Sequence, residues 1–332
     1  MYKKWIVVAG VLLVFLLLIA AFPQRLAQLR TLASLKKVDN HPLFVMRYYG
    51  DYGFDRFLLE GIRAEELSHR GEQPLLENWA CTCFAALDEA GERIFGRNFD
   101  WQMNPALLLF SDPPGAYASV SMVDLHYLGY DISGPSWFDR KALLDAPYLP
   151  FDGMNEYGLA VGMMALPRAD ANTNPGKRTI DSLHAIRLLL DYAKNVDEGI
   201  TLLANYNIDF GNGPPLHYLI SDVQGHSAVI EYVRGEMRVI RNDELWQVST
   251  NFVISETENP VCERYLHVGE VLETAEGQIT QADAMELLED VSQPNTRWSV
   301  IYNMASGEVM VAMGRKYDRV YLDELMVWWN QK

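Results

Sequence analysis

The chain has 332 residues, 49% of them apolar, which suits a membrane segment plus one large domain or two small ones and excludes wholesale disorder. Its formal net charge of −16 argues against a nucleic-acid partner, because such a binder needs a positive face to displace counterions. The cysteines are only Cys81, Cys83 and Cys262: too few, and odd in number, for a disulfide framework, and spaced for no zinc site.

Taken in chain order, the first feature is an uncharged, mostly apolar run from Trp5 to Phe22, preceded by Lys3 and Lys4 and followed by Arg25 and Arg30. Its 18 residues suit a signal anchor with the domain outside the cytoplasm; a cleaved signal peptide and a secreted product are the alternative. Residues 23–40 read as a juxtamembrane helix or tether. From His41 the chain turns aromatic and looks folded, and Glu60 to Gln73 reads as a charged surface segment. Ala80–Leu87 and Arg93–Arg97 form a predicted hairpin around the turn Asp88-Glu89-Ala90-Gly91. Asp152 to Gly158 reads as a turn leading into a buried strand over Leu159–Ala165. Helical spacing covers Thr179–Asn195 and a second helix covers Val196–Asn205. Strands are expected at Leu216–Asp222, His226–Val233, Glu236–Arg241 and Trp246–Phe252. A helix starts at Thr280, with Asp283 three residues on, and a late hairpin pairs Ser299–Met304 with Glu308–Met313. The pattern suits one α+β domain of two packed, mostly antiparallel sheets covered by helices.

The chemistry concentrates in Trp79-Ala80-Cys81-Thr82-Cys83 and Gly96-Arg97-Asn98-Phe99-Asp100-Trp101. The hairpin carries Arg97 and Asp100 back toward Cys81. A guanidinium beside a thiol favours the thiolate, and a carboxylate can hold a protonated amine. Taken alone, Cys81 reads as a small buried hydrophobe and Arg97–Asp100 as a structural ion pair. Cys83, two residues on along the same strand face, reads as a packed core thiol, and Cys262 either pairs with Cys83 or packs. His217 and His267 read as satisfied polar residues. Trp101, Tyr127, Tyr130 and Trp137 either line a pocket or pack. There is no GxGxxG, P-loop, GxSxG or HExxH motif, and neither cofactor nor metal is expected.

The stretch Cys81-Thr82, Gly91 and Phe95-Gly96-Arg97-Asn98-Phe99-Asp100-Trp101 closely resembles the start of the choloylglycine hydrolases, the bile salt hydrolases and penicillin V acylases of the N-terminal-nucleophile (Ntn) superfamily. Asn155–Ala160, the strand pair from Leu216-His217-Tyr218 to Glu231, Ser249-Thr250-Asn251 and Cys262-Glu263-Arg264-Tyr265 extend the likeness from about Cys81 to the C-terminus. The segment around Tyr48–Gly53 looks more like the propeptide of the related acid ceramidase branch. The resemblance implies a four-layer αββα sandwich, with 41–80 as a propeptide-like segment packed on the core and 81–332 as the catalytic domain; before them, composition gives residues 1–22 as anchor or signal and 23–40 as tether. The resemblance further implies hydrolysis of a linear acyl-amide after self-cleavage between Ala80 and Cys81. Cys81 would then be the nucleophile and its α-amine the base, Asp100 would orient that amine, and Arg97 would stabilise the thiolate and the substrate end. Asn251 with the backbone N–H of Ala165 would stabilise the oxyanion, and Arg264 would tune the pocket. Ala165 departs from the Asn or Tyr the family carries there, which alters substrate contacts. A homo-oligomer is left open. The competing expectations are a papain-like pairing of Cys81 with His217 or His267, and a non-catalytic membrane-tethered binding domain.

Overall fold

A computed structural model describes residues 23–60, 80–88, 90–170, 172–211 and 213–325. The apolar run 5–22 and most of the charged segment 60–73 lie outside these residues. Among the described residues no helix is long and apolar enough to cross a membrane.

The chain begins with α1 (Pro23–Ser34), β1 (Lys36–Asp39), β2 (Leu43–Tyr48) and α2 (Phe54–Glu60). The hairpin β3 (Ala80–Leu87) and β4 (Arg93–Asp100) follows, then β5 (Ala106–Ser111), β6 (Ser119–Asp124), β7 (Pro150–Asn155) and β8 (Ala160–Ala165). Two 3-10 segments, Leu125–Leu128 and Lys141–Tyr148, lie between β6 and β7. Next come β9 (Arg178–Asp181), α3 (Ser182–Tyr192), α4 (Val196–Ala204), β10 (Tyr206–Asp209), β11 (Leu216–Ser221), β12 (Ser227–Val233), β13 (Glu236–Arg241) and β14 (Gln247–Ser249). The chain closes with α5 (Glu263–Thr274), α6 (Gln281–Asp290), β15 (Thr296–Asn303), β16 (Glu308–Met313) and β17 (Tyr321–Glu324).

The larger sheet runs β1-β2-β5-β6-β7-β8-β11-β12-β13, and the smaller one β14-β3-β4-β15-β16-β17. Both are antiparallel except where β2 pairs parallel to β5; a short parallel pair, β9 and β10, stands apart. The period-2 pleat sorts β3 into two faces. Cys81, Cys83 and Ala85 join the core between the sheets, whereas Phe84 and Ala86 pack with Val268, Leu272, Ala284 and Leu288 of α5 and α6. On the far side α3 covers the larger sheet, with Leu190 against Gly153 of β7. The layers are therefore helix, sheet, sheet, helix. The sheets approach closely at Gly162 of β8, where an added Cβ would come within 2.8 Å of the Cys83 Sγ.

Local chemistry sets the element ends. Asp181 caps α3 by accepting from the Leu183 N–H at 2.8 Å, and Thr280 caps α6 by accepting from Asp283 at 2.9 Å; each satisfies a helix N–H that has no intrahelical partner. In the β3–β4 turn Gly91 takes φ +79°, and the Asp88 carboxylate accepts from the Ala90 and Glu92 N–H groups.

Two expectations change. Residues 152–155 belong to strand β7; the turn is confined to Glu156–Leu159, because Asp152 is neutralised in the core and so need not face water. Residues 23–40, expected as a helix or tether, hold a helix and also the edge strand β1 of the larger sheet. Tyr52 adds a tie, its hydroxyl donating to both oxygens of buried Asp191 at 2.6 and 2.8 Å.

Candidate active site

Cys81 is the second residue of β3 and only 1% exposed. In the β3–β4 ladder it lies opposite Phe99, while Ala80 faces Asp100 and Cys83 faces Arg97. Cys81 and Arg97 thus share the face turned toward the larger sheet, as diagonal neighbours. Thr82, Asn98 and Asp100 belong to the other face, where Thr82 meets Arg264 of α5 and Asn98 donates to the Leu288 carbonyl of α6. The thiol is therefore served from between the sheets, and the backbone of Cys81 from the helix side.

On the thiol side, the Arg97 guanidinium lies against the Cys81 sulfur and favours its ionised form. Burial outweighs it, and the thiol sits above its ordinary pKa. The expected ease of ionisation is thus present in sign and overridden in amount. Cys83 is pushed up further, again by burial, which leaves it a protonated core thiol. Arg97 is wholly buried and aimed by Asp152, at 2.7 Å, and by the Phe151 carbonyl. Asp152 also accepts from the Trp298 Nε1 at 3.0 Å and the Tyr302 hydroxyl at 2.6 Å.

On the backbone side, the Cys81 N–H donates to Asn251 Oδ1 at 2.5 Å. The register explains this: β14 pairs Ser249 with Cys83, so Asn251 arrives beside Cys81. Arg264 donates through Nη1 to the Cys81 carbonyl and to Thr82 Oγ1 at 2.9 Å, and through Nη2 to Asn251 Oδ1 at 3.0 Å. The Asn251 Nδ2 donates to the Ala165 carbonyl at the end of β8, at 2.8 Å. Ala165 thus enters the site through its carbonyl. Asp100 is fully buried, and its Oδ1 accepts from the Thr296 hydroxyl. Its Oδ2 has no hydrogen-bond partner among the described residues. Burial pushes its pKa up to about 7 against the hydrogen bond from Thr296 and the charges of Arg264 and Arg97.

All six residues expected of the site, Cys81, Arg97, Asp100, Ala165, Asn251 and Arg264, meet here. Asp152 and Thr296 complete the arrangement and carry no motif. The one sequence signal for Asp152 was a charge inside the apolar run Pro150-Phe151-Asp152-Gly153-Met154. The cysteines are unpaired, and Cys262 accepts from the Thr250 hydroxyl at 3.4 Å. Neither histidine serves Cys81. His217 is buried with Nδ1 3.2 Å from Glu231 and Nε2 2.6 Å from the Thr250 carbonyl. His267 lies on the surface near Asp290, at 3.7 Å. A papain-like pairing of Cys81 with His217 or His267 is therefore not formed.

Beside the thiol lies a small apolar pocket, with about 20 Å³ of free space, lined by Phe99, Trp101, Tyr127, Phe151, Met163 and Leu216 among others. Phe99 joins it directly to Cys81 through the ladder. Of the four aromatics singled out from the sequence, Trp101 and Tyr127 line this pocket. Tyr130 packs under a loop, and Trp137 stands 68% exposed.

A family model, linear amide C–N hydrolases of the choloylglycine hydrolase family, matches residues 81–253, more than half of the chain. Among solved structures the chain is similar to a mutant of conjugated bile acid hydrolase from Clostridium perfringens, at 16% identity and a TM-score of 0.56, over 76% of this chain and 93% of that one. It is also similar to penicillin V acylase from Agrobacterium tumefaciens, at 16% identity and a TM-score of 0.54, over 74% of this chain and 86% of that one. At such identities the two structures speak for the fold.

Proposed function

This chain belongs to the choloylglycine hydrolase family of linear amide C–N hydrolases, a hydrolase of non-peptide amide bonds, and from that premise we propose that it cleaves a small acyl-amide with Cys81 as nucleophile, after scission of Ala80–Cys81 has freed the Cys81 α-amine. The observation that carries this reading is the environment of Asp100. A buried carboxylate with an oxygen unpartnered among the described residues sits opposite Ala80, at the bond to be cut. An orphaned buried acceptor is costly unless another state supplies its donor, and a new ammonium group at Cys81 is such a donor.

In the scission, the Cys81 sulfur adds to the Ala80 carbonyl carbon. The acyl group passes from nitrogen to sulfur, and the thiol proton goes to the departing nitrogen. Water then hydrolyses the thioester, leaving a carboxylate on Ala80 and a free thiol and amine on Cys81. An α-amine titrates near pH 8 and so retains a neutral fraction able to act as a base. In turnover it takes the thiol proton, the thiolate adds to the substrate carbonyl, and collapse expels the leaving amine, which takes that proton back. Water, deprotonated by the same amine, releases the acyl group. Arg97 favours the thiolate. Asn251 Nδ2, turned from the Ala165 carbonyl to the oxyanion, would join the Ala165 N–H; one such donor lowers the barrier by about 3 kcal/mol. The apolar pocket beside Phe99, widened by its lining side chains, would receive the acyl part.

We further place the catalytic part outside the cytoplasm, held by the apolar run 5–22, with residues 41–80 kept on the core after scission. Intact mass and N-terminal sequencing of purified protein test the central claim: a chain starting at Cys81 is expected, and Cys81→Ala should stay whole and inactive. An intact Ala80–Cys81 bond in fully active enzyme would overturn it. Bile salts, penicillin V, N-acyl homoserine lactones and N-acylated lipids form the assay panel.

A further inference from the structure

The loop between the two 3-10 segments, residues 129–140, carries the most exposed large apolar side chains near the pocket. Phe138 is 97% exposed, and Trp137 and Ile132 stand out beside it. A floppy loop could fold such groups away, but this one is fastened at several points. The Tyr130 hydroxyl donates to the Asp139 carbonyl at 2.7 Å, and Asp131 accepts from the Ser133 N–H at 2.9 Å. Gly134, at φ +72°, seats the loop on the Phe44 ring so closely that a Cβ would fall within 2.5 Å. Arg140 lies 4.5 Å from the Trp137 ring centre and donates to the Leu32 carbonyl of α1 at 2.8 Å. The loop is thus built to keep Trp137 and Phe138 outside.

Arg140 also ties this loop to α1. Along that helix Thr31 is buried, while Leu26 and Leu29, three residues apart, lie on the opposite side and are 41% and 64% exposed. Pro23 is the first residue of α1, where proline is favoured because its missing N–H is not needed. Immediately before it the chain contributes the 18-residue apolar run Trp5–Phe22. Arg25, Arg30, Lys36 and Lys37 flank the apolar side chains, a composition suited to headgroup level.

We propose that Leu26 and Leu29 of α1, with Trp137 and Phe138 of the 129–140 loop, form one face that dips into the surface of a lipid bilayer, with α1 lying along it. The bilayer is the occupant because the apolar run places one beside Pro23, and because tryptophan favours the boundary between headgroups and acyl chains. The proposal rests on the reading of residues 5–22 as an anchor and does not depend on catalysis. Its consequence is positional: the loop begins at the 3-10 turn whose Tyr127 lines the pocket, so the pocket would sit near the lipid surface, within reach of membrane-dissolved acyl-amides.

The test uses the full chain with Cys81→Ala, which keeps it in one piece, reconstituted into phosphatidylcholine vesicles with bromine on the acyl chains. The Trp137 emission is isolated by subtracting the spectrum of the same chain bearing Trp137→Phe. The expected result is quenching of that component to below about half, as for a group at the acyl boundary, and similar quenching of a reporter moved by Phe138→Trp in the Trp137→Phe background. An unquenched Trp137 on a vesicle-bound chain would overturn the proposal, as would a chain that does not bind vesicles. A dimer broken by Phe138→Ser, with Trp137 unquenched, would assign the face to a second copy and likewise overturn it.

Discussion

Replacing Asp152 is the sharpest test of how the site is held. The carboxylate is wholly buried and accepts from three donors: Arg97 at 2.7 Å, Tyr302 at 2.6 Å and Trp298 at 3.0 Å. Asp152→Ala leaves the Arg97 charge buried without its counter-ion, a loss of about 3–5 kcal/mol. It also strands two neutral donors, at roughly 1–3 kcal/mol each. The total reaches the whole stability of an ordinary domain, about 5–15 kcal/mol, so this variant should fail to accumulate as folded protein. Asp152→Asn separates charge from shape. Its carboxamide oxygen can take the Oδ2 position and keep Arg97 and Trp298, and the Tyr302 hydroxyl can rotate to accept from the new amide. What remains is the uncompensated charge, an expected loss of about 3 kcal/mol. Urea unfolding of both variants in a Cys81→Ala background, where each is a single chain, reads the difference. An Asp152→Ala protein that folds and loses less than about 1 kcal/mol would refute the argument that this pair holds Arg97 in place.

Other predictions follow from the same geometry. Asp100 has its folded pKa raised to about 7 from an ordinary carboxylate value near 4. Its contribution to stability is therefore fully present below about pH 4 and is lost as pH rises through 7. In the Cys81→Ala chain, unfolding free energy should fall by roughly 2–3 kcal/mol more between pH 5 and 8 than in the same chain bearing Asp100→Asn; parallel pH curves would contradict this. Gly162→Ala puts a methyl group 2.8 Å from the Cys83 sulfur and should cost about 1–3 kcal/mol. Cys83→Ala in the same chain should recover part of that loss in thermal unfolding, and no recovery would mean the strain lies elsewhere, such as at Phe95. Arg264→Lys keeps a charge but cannot span the Cys81 carbonyl, Thr82 and Asn251 together. Self-cleavage, followed by gel shift, should slow at least about tenfold, the equivalent of one charged hydrogen bond; an unchanged rate would remove Arg264 from the site.

The hairpin was legible because its information is local. Turn chemistry at Asp88–Gly91 sets the register that brings Arg97 and Asp100 to Cys81. Asn251 and Arg264 could be placed from the sequence only through resemblance; in the fold they arrive because β14 is paired to β3 and α5 packs on the outer face of these two strands. Asp152 stayed hidden for a physical reason. A carboxylate in an apolar run looks like a turn until its partners are known, and those lie 55, 146 and 150 residues away. The same holds for β2, whose parallel pairing with β5 has no turn signal to announce it, and for α5, whose polar composition leaves little apolar periodicity to see.

The position of β2 bears on more than packing. It is an interior strand, hydrogen-bonded to β1 on one side and to β5 on the other, and it lies upstream of the Ala80–Cys81 bond. Breaking that bond would leave one sheet assembled from two polypeptides. Unfolding of the whole chain is a first-order event, indifferent to concentration. The nicked form would instead have to find its partner again, so its melting temperature would rise with protein concentration, and refolding from denaturant would become second order. A protein made as one molecule would then age as a complex, able to return from denaturation only while both pieces remain at hand.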